Sequence, residues 1–177
     1  MKTAAFRLSA LFCLAAATAL AAPEFNGTWK LDLARSQLPG HPTFGPSALE
    51  QVLRLKLDDT SLAVTTQTTS APAGKVTTNE TYLLDGKPHD FAPATRPGGA
   101  PAKGIRTATH TDDHGMIVVL EAVTRGTADD AITVRVTHTW AVSPDGQTLT
   151  VTTTVHGSQG EVSTTRVFGL VPPAPSP

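Results

Sequence analysis

The chain holds a single cysteine, Cys13, inside an apolar run near its start. Beyond that run no disulfide and no thiolate metal site can form. Aromatic residues make up only 5% of the chain, so a core must rest largely on aliphatic side chains. Lysines and arginines are scattered rather than clustered, which argues against nucleic acid and anionic membrane surfaces as partners. No segment holds a 3.6-residue apolar period, which argues against a helical bundle. Common catalytic motifs are missing too: there is no GxSxG, no HExxH, no phosphate-binding loop and no GxGxxG. An enzyme is therefore the least favoured class, and neither cofactor nor metal is expected.

Residues 1–21 start with Lys2 and Arg7, run apolar from Leu8 to Leu20 and close on small residues. This is the layout of a secretory signal peptide. The run is too short and too rich in alanine for a good spanning helix. Ala19-Leu20-Ala21 sets the expected cleavage after Ala21, and Phe12 is too large for the lipid-attachment site that Cys13 would need. Cleavage of the 177-residue chain there leaves 156 residues, enough for one domain with a core. Without Lys2 and Arg7, 12 basic residues face 15 acidic ones, a net charge of −3 with histidine neutral. The expectation is a periplasmic or secreted bacterial protein with one domain over 22–171 and a disordered, proline-rich tail over 172–177.

What the chain does have is threonine: 26 of them after residue 21. Threonine is β-branched and suits the wet face of a strand. Apolar residues alternate with it at period two. In "AITVRVTHTWAV", Ile132, Val134, Val136, His138, Trp140 and Val142 share one face. In "EVSTTRVFGL", Val162, Thr164, Arg166, Phe168 and Leu170 do the same. One dry face and one wet face is the pattern of an antiparallel sheet. Turn signals at Asp58-Asp59, Pro72-Ala73-Gly74, Asp85-Gly86, Asp112 to Gly115, Gly126 to Asp130, Pro144-Asp145-Gly146 and Gly157 to Gly160 divide the strands. The strands read as 27–33, 48–57, 61–70, 75–84, 87–91, 105–111, 116–124, 131–142, 147–156 and 161–170.

Strand 87–91 is short and contains Pro88, but Asp85-Gly86 is a strong hairpin signal. With ten strands, the first and last run antiparallel and can pair, so that a barrel closes. Strand parity then puts the long loops 34–47 and 92–104 at one end, where they are expected to meet and be mobile. The other end has only tight turns. Trp29 falls at that plain end. Arg166, in the second half of the last strand, is expected to stack on its indole, since a guanidinium packs well on an aromatic face.

Gly27-Thr28-Trp29 on the first strand and an arginine on the last resemble the structural signature of lipocalins and their calycin relatives. "GTWKLDLARSQL" and "SPDGQTLTVTTTVHGSQGEVSTTRVF" are similar to small secreted bacterial lipocalin-like proteins. The resemblance implies an all-β, antiparallel up-and-down β-barrel of about 8–10 strands, plugged by Gly27, Trp29 and Arg166, with a cup for a small apolar molecule. It names no ligand. The chain departs from typical lipocalins in having no helix after the last strand and ten strands rather than eight.

Three residues are the candidate ligand contacts. His138 lies among apolar neighbours on an inward face, either meeting a ligand or satisfied by a neighbouring side chain. Trp140 shares its face. Glu80 shares a face with Val76, Tyr82 and Leu84; if inward, it needs a cation, for which Arg166 and His138 are the candidates. Glu121 lies in "MIVVLEAV", where both faces are apolar, so its direction is unreadable. His110-Thr111-Asp112-Asp113-His114 has metal-ligand residue types, but paired aspartates first suit a tight turn. The interior is otherwise expected to be Leu, Val and Ile. The favoured function is binding of a small apolar or amphipathic molecule. A packed structural or partner-binding envelope protein is the alternative, and a small enzyme using interior Glu and His is third.

Overall fold

The computed structural model describes residues 24–38, 50–70, 74–93, 102–111, 116–126, 131–157 and 160–172. The leader-like segment, most of both long loops, the Asp112 turn and the tail beyond Pro172 lie outside the described residues. Ten strands form one antiparallel sheet. They are β1 (Gly27–Gln37), β2 (Glu50–Leu57), β3 (Ser61–Ser70), β4 (Gly74–Leu83), β5 (His89–Phe91), β6 (Ala102–Thr111), β7 (Met116–Arg125), β8 (Ile132–Val142), β9 (Thr148–Gly157) and β10 (Gly160–Val171). Their order is β4-β3-β2-β1-β10-β9-β8-β7-β6-β5. Threonine-rich alternation gives each strand one face to bury, and curling the sheet brings those faces together.

The first and last strands pair, with Trp29 opposite Leu170 and Leu31 opposite Phe168. The break in the meander lies between β4 and β5, which differs from the sequence expectation. Asp85-Gly86 does not join two paired strands. β5 is only three residues long and pairs with β6. Asp85 explains why. Its carboxylate accepts from the Lys87 amide at 3.0 Å and holds His89 Nε2 at 2.9 Å. Gly86, at φ +69°, donates its amide to the Ala108 carbonyl at 3.0 Å, beside a bridge between Asp85 and Thr109. The segment is thus a corner that carries the chain from one sheet edge to the other, and it closes the curled sheet at this end.

At that end, turns are held by local side chains. Asp58 Oδ1 accepts from the amides of Thr60 and Ser61 at 2.9 and 2.7 Å. Gly146 adopts φ +68° in the turn between β8 and β9. The strand directions set the ends of β1 and β5, which lead into the two long loops, at the opposite end.

Trp29 is fully buried at the plain end. Its indole Nε1 donates to the Phe25 carbonyl at 3.0 Å. Phe25 is itself fully buried and meets the His110 ring edge-on, centroids 6.3 Å apart. Gly27 has φ +146°, and a Cβ there would come within 3.0 Å of Leu170 Cδ1. Arg166 is not the partner of Trp29. The register sets it four residues short of Leu170, roughly 13 Å along the strand at about 3.3 Å per residue. The described partner of the indole N–H is instead the carbonyl of Phe25, ahead of the first strand.

Candidate functional site

The interior has three levels. The floor is dry: Phe25, Trp29, Leu62, Ile117, Leu149 and Phe168 are all buried there. Above it lies a belt of polar groups across five strands. Tyr82 on β4 donates its hydroxyl to Glu80 Oε2 at 3.1 Å. Arg106 on β6 donates from Nη2 to Glu80 Oε1 at 2.9 Å and from Nε to Glu121 Oε1 at 2.7 Å. The other Glu121 oxygen is 3.8 Å from His138 Nε2, a charge contact too long for a hydrogen bond. His138 Nδ1 hydrogen-bonds Thr153 Oγ1 on β9 at 3.0 Å.

Arg106 does more than link carboxylates. Its guanidinium lies 4.4 Å from the Tyr82 ring centroid on β4 and 4.2 Å from that of Phe91 on β5. Phe91 can sit there because it lies over Gly104, where any Cβ would collide with its ring. One side chain therefore fastens the two edges of the curled sheet, which beyond the Asp85 corner share no ladder. Burial works against the Arg106 charge, but Tyr82, Glu121 and Glu80 outweigh it and hold its pKa above the ordinary value. Burial would also raise the Glu121 carboxyl. The His138 imidazole and the Arg106 charge pull harder the other way, and the net shift is downward. Burial, then the Glu80 charge, push the Tyr82 phenol far above its ordinary range.

Within this belt is a cavity of about 160 Å³, lined by Gln51, Leu53, Val64, Thr66, Glu80, Tyr82, His138, Trp140, Val151, Thr153, Arg166 and Phe168. Wider hollows of about 510 and 680 Å³ lie around Leu120 and around Lys30; like the chamber, they are open to solvent. Two donors facing the inner chamber have no partner among the described residues: Trp140 Nε1 and Arg166 Nε. Burial alone lowers the Arg166 pKa from its usual value.

The third level is the mouth. Val76, Ile132 and Val162 lie on the inner face of their strands, in phase with Tyr82, Trp140 and Phe168. Yet they are 47%, 66% and 56% exposed. The inner face is thus dry at the floor, polar at mid-height and apolar but wet at the mouth.

The three expected ligand contacts, His138, Trp140 and Glu80, all line the chamber. The cation beside Glu80 is Arg106, rather than Arg166 or His138. Glu121 turns inward, and Leu120 outward at 50% exposure. The interior is more polar than the aliphatic lining expected, because Glu80, Arg106, Glu121, Thr153 and Arg166 fall on inner positions as well. Tyr82 shows in the sequence only as a face-mate of Glu80, and Arg106 and Thr153 carry no motif, although the turn positions hold the signal that finds these last two. A hairpin centred between Asp113 and His114 sets Arg106 opposite Glu121, and one centred between Asp145 and Gly146 sets His138 opposite Thr153. Chemically, Thr153, His138 and Glu121 stand in the order hydroxyl, imidazole, carboxylate, but Glu121 makes its short bond to Arg106. His110 packs on Phe25, and the remainder of its histidine–aspartate stretch lies outside the described residues. Among the described residues, no three of His, Cys, Asp and Glu gather as metal ligands. No described helix is long and apolar enough to cross a membrane.

Fold and interior together define an all-β, calycin-type barrel of ten antiparallel strands. No protein-family model matches the sequence, and no curated protein matches it. Among solved structures, the zebrafish ileal bile acid-binding protein complexed with cholic acid is similar, with a TM-score of 0.50. The two share 18% identity over 83% of this chain and 98% of that one, a likeness of fold.

Proposed function

We propose that this protein is an exported barrel that binds a small amphipathic molecule inside. The observation that carries the reading is the layered inner face. Aliphatic side chains left wet on an inward face want a cover. An apolar ligand body lying along Val76, Ile132 and Val162 supplies one, while its polar end reaches the belt. The chamber of about 160 Å³ matches the size argument. Roughly 150 Å³ holds a benzene-sized group, whereas whole drug-sized ligands need about 300 Å³ or more. Only one end of a ligand fits below, and the rest lies in the mouth.

His138 and Trp140 are the residues such a ligand meets in the chamber. Glu80 is engaged by Tyr82 and Arg106 and shapes the wall. The shared fold with a protein crystallised with cholic acid supports a small hydrophobic ligand. The leader-like residues 1–21 and the resemblance to secreted bacterial lipocalin-like proteins support export. A packed structural barrel is the second reading, favoured by the way the belt satisfies itself from Tyr82 to Thr153. Displacement of a solvatochromic dye by alkyl amphiphiles, fatty acids and aromatic compounds tests the choice. Micromolar displacement is expected. No displacement by any of them, with unchanged amide NMR signals, would leave the packed barrel as the answer.

A further inference from the structure

Among the described residues, five ionisable side chains lie at mid-height on the inner face: Glu80, Arg106, Glu121, His138 and Arg166; Arg125, opposite Ile132, is on that face at the exposed mouth. Four of them answer one another. Arg106 lies between the two carboxylates, and His138 adjoins Glu121. Arg166 stands apart. None of the ion pairs among the described residues includes it, and its Nε is buried with no acceptor. Trp140 is in the same condition. It is 94% buried by the exposure of 6%, and its indole N–H meets no acceptor. Buried donors are almost always paired, so two orphans in one small chamber form an anomaly that needs an account.

The register puts them together. Trp140 on β8 and Arg166 on β10 are both opposite Val151 on β9. All three face the chamber. Two strand spacings separate the flanking backbones by about 10 Å. A long guanidinium and an indole thus flank the small Val151 on the chamber side. No described acceptor of the wall lies within hydrogen-bond reach of either donor. Glu80, the one carboxylate lining the chamber, is engaged by Tyr82 and Arg106. The rest of the lining mixes Leu53, Val64, Val151 and Phe168 with the polar side chains of Gln51, Thr66 and Thr153.

We propose that Arg166 and Trp140 form a head-group site for an anionic amphiphile, a monocarboxylate whose alkyl or ring body points to the mouth. The inference rests on the binding-barrel reading and adds the ligand's charge and orientation. A carboxylate has two oxygens, so it accepts from the cationic guanidinium and from the neutral indole N–H at once. Arg166 supplies charge that no described side chain balances. Trp140 supplies a fixed direction, since its ring is packed against Tyr82 with centroids 6.2 Å apart. The aliphatic mouth lies on the same inner face of β8 and β10, so a head seated here directs its tail along Ile132 and Val162. Burial also lowers the Arg166 pKa, as expected of a cation waiting for a counter-charge.

The test compares decanoate with decanol, matched in chain length and differing in head charge. Calorimetry on the wild-type protein at pH 7 is expected to give decanoate at least tenfold tighter binding. In Arg166→Gln the acid falls to the level of the alcohol, while the alcohol changes little. Arg166 has no partner among the described residues to orphan, so this variant is expected to keep its fold, which circular dichroism checks. The indole N–H signals in nitrogen–proton NMR give a readout independent of any Arg166 variant. The Trp140 signal, assigned by its loss in Trp140→Phe, moves downfield with decanoate and not with decanol. Trp29 already donates to Phe25 and stays in place. Equal binding of acid and alcohol overturns the head-group site and leaves the binding barrel standing. So does a preference for the acid that survives Arg166→Gln, or a Trp140 signal that does not move. If neither compound binds, the barrel reading fails and takes the head-group site with it.

Discussion

Removing the Trp29 side chain is the sharpest test of how the barrel is closed. The indole is fully buried between Leu53 on β2 and Leu170 on β10. Truncation of such a ring to alanine costs about 3–5 kcal/mol, part transfer and part cavity. A value near the top of that range is expected, because the Phe25 carbonyl loses its only recorded donor inside a buried cluster. A buried acceptor left unpaired costs about 1–3 kcal/mol by itself. The whole domain has on the order of 5–15 kcal/mol to lose. At roughly 2–4 °C per kcal/mol for a chain of this size, Tm falls by about 10–20 °C. Urea titration followed by far-ultraviolet circular dichroism measures the change, with Trp140 fluorescence as a second probe. Trp29→Phe separates the two contributions. It keeps most of the ring and drops the N–H, so it should cost about 1–2 kcal/mol. A loss below about 1 kcal/mol in Trp29→Ala would refute the idea that this residue fills the barrel base.

Two further outcomes concern the belt. Arg106→Met leaves Glu121 buried without its closest cation and frees the seam at Tyr82 and Phe91, and should cost about 3–5 kcal/mol by urea titration. The double variant Arg106→Met, Glu121→Met should be more stable than Arg106→Met alone, since of the two carboxylates that lose Arg106 it removes the more buried one. The folded Glu121 carboxyl titrates below its ordinary value near 4.5, so its stabilisation is present above that pH and fades as pH falls through the depressed value. Urea midpoints should therefore drop below about pH 4.5. The drop should be shallower in Glu121→Gln, though not abolished, because hydrogen bonds within their turns also hold Asp58 and Asp145 low, and the bond to His89 holds Asp85 low.

The legible parts of this fold are those that short-range geometry dictates. Ten strands, their alternation and the pairing of β1 with β10 follow from the two-residue period, the turns and the need to close an edge. Pairs across a tight hairpin follow from simple counting around its centre, as Arg106 with Glu121 and His138 with Thr153 show. The errors lie where distant segments meet. No turn fixes the register between β1 and β10; it is set by packing of Leu31 against Phe168. The expected stacking of Arg166 on Trp29 therefore misses by four residues along β10. The Asp85-Gly86 dipeptide has the chemistry of a hairpin, but its amide bonds to β6 rather than β4. Only the curl of the whole sheet decides between those partners. The grip of Arg106 on Glu80 crosses the same seam, 26 residues away in sequence, and was hidden for the same reason.

The correction to Arg166 changes what the interior asks for. An arginine stacked on Trp29 would be explained by structure: it would cap the floor and have a reason to be charged. At mid-height it has no such duty. The seam is fastened by Arg106, the floor is closed by Phe25 and Trp29, and the belt runs from Tyr82 to Thr153 without it. On packing grounds a leucine or methionine opposite Val151 would fill the same space with no cation to desolvate. The same holds for Trp140, where a phenylalanine would stack on Tyr82 without a donor to satisfy. Each orphan alone is a small inefficiency of the kind a protein carries. Both flank one valine, face one cavity and offer donors with no acceptor between them. Arg166→Leu should therefore leave the barrel as stable as before or more so, measured by urea titration. A marked loss of stability would show that the guanidinium has a structural partner after all and would remove the ground for reading it as a waiting site.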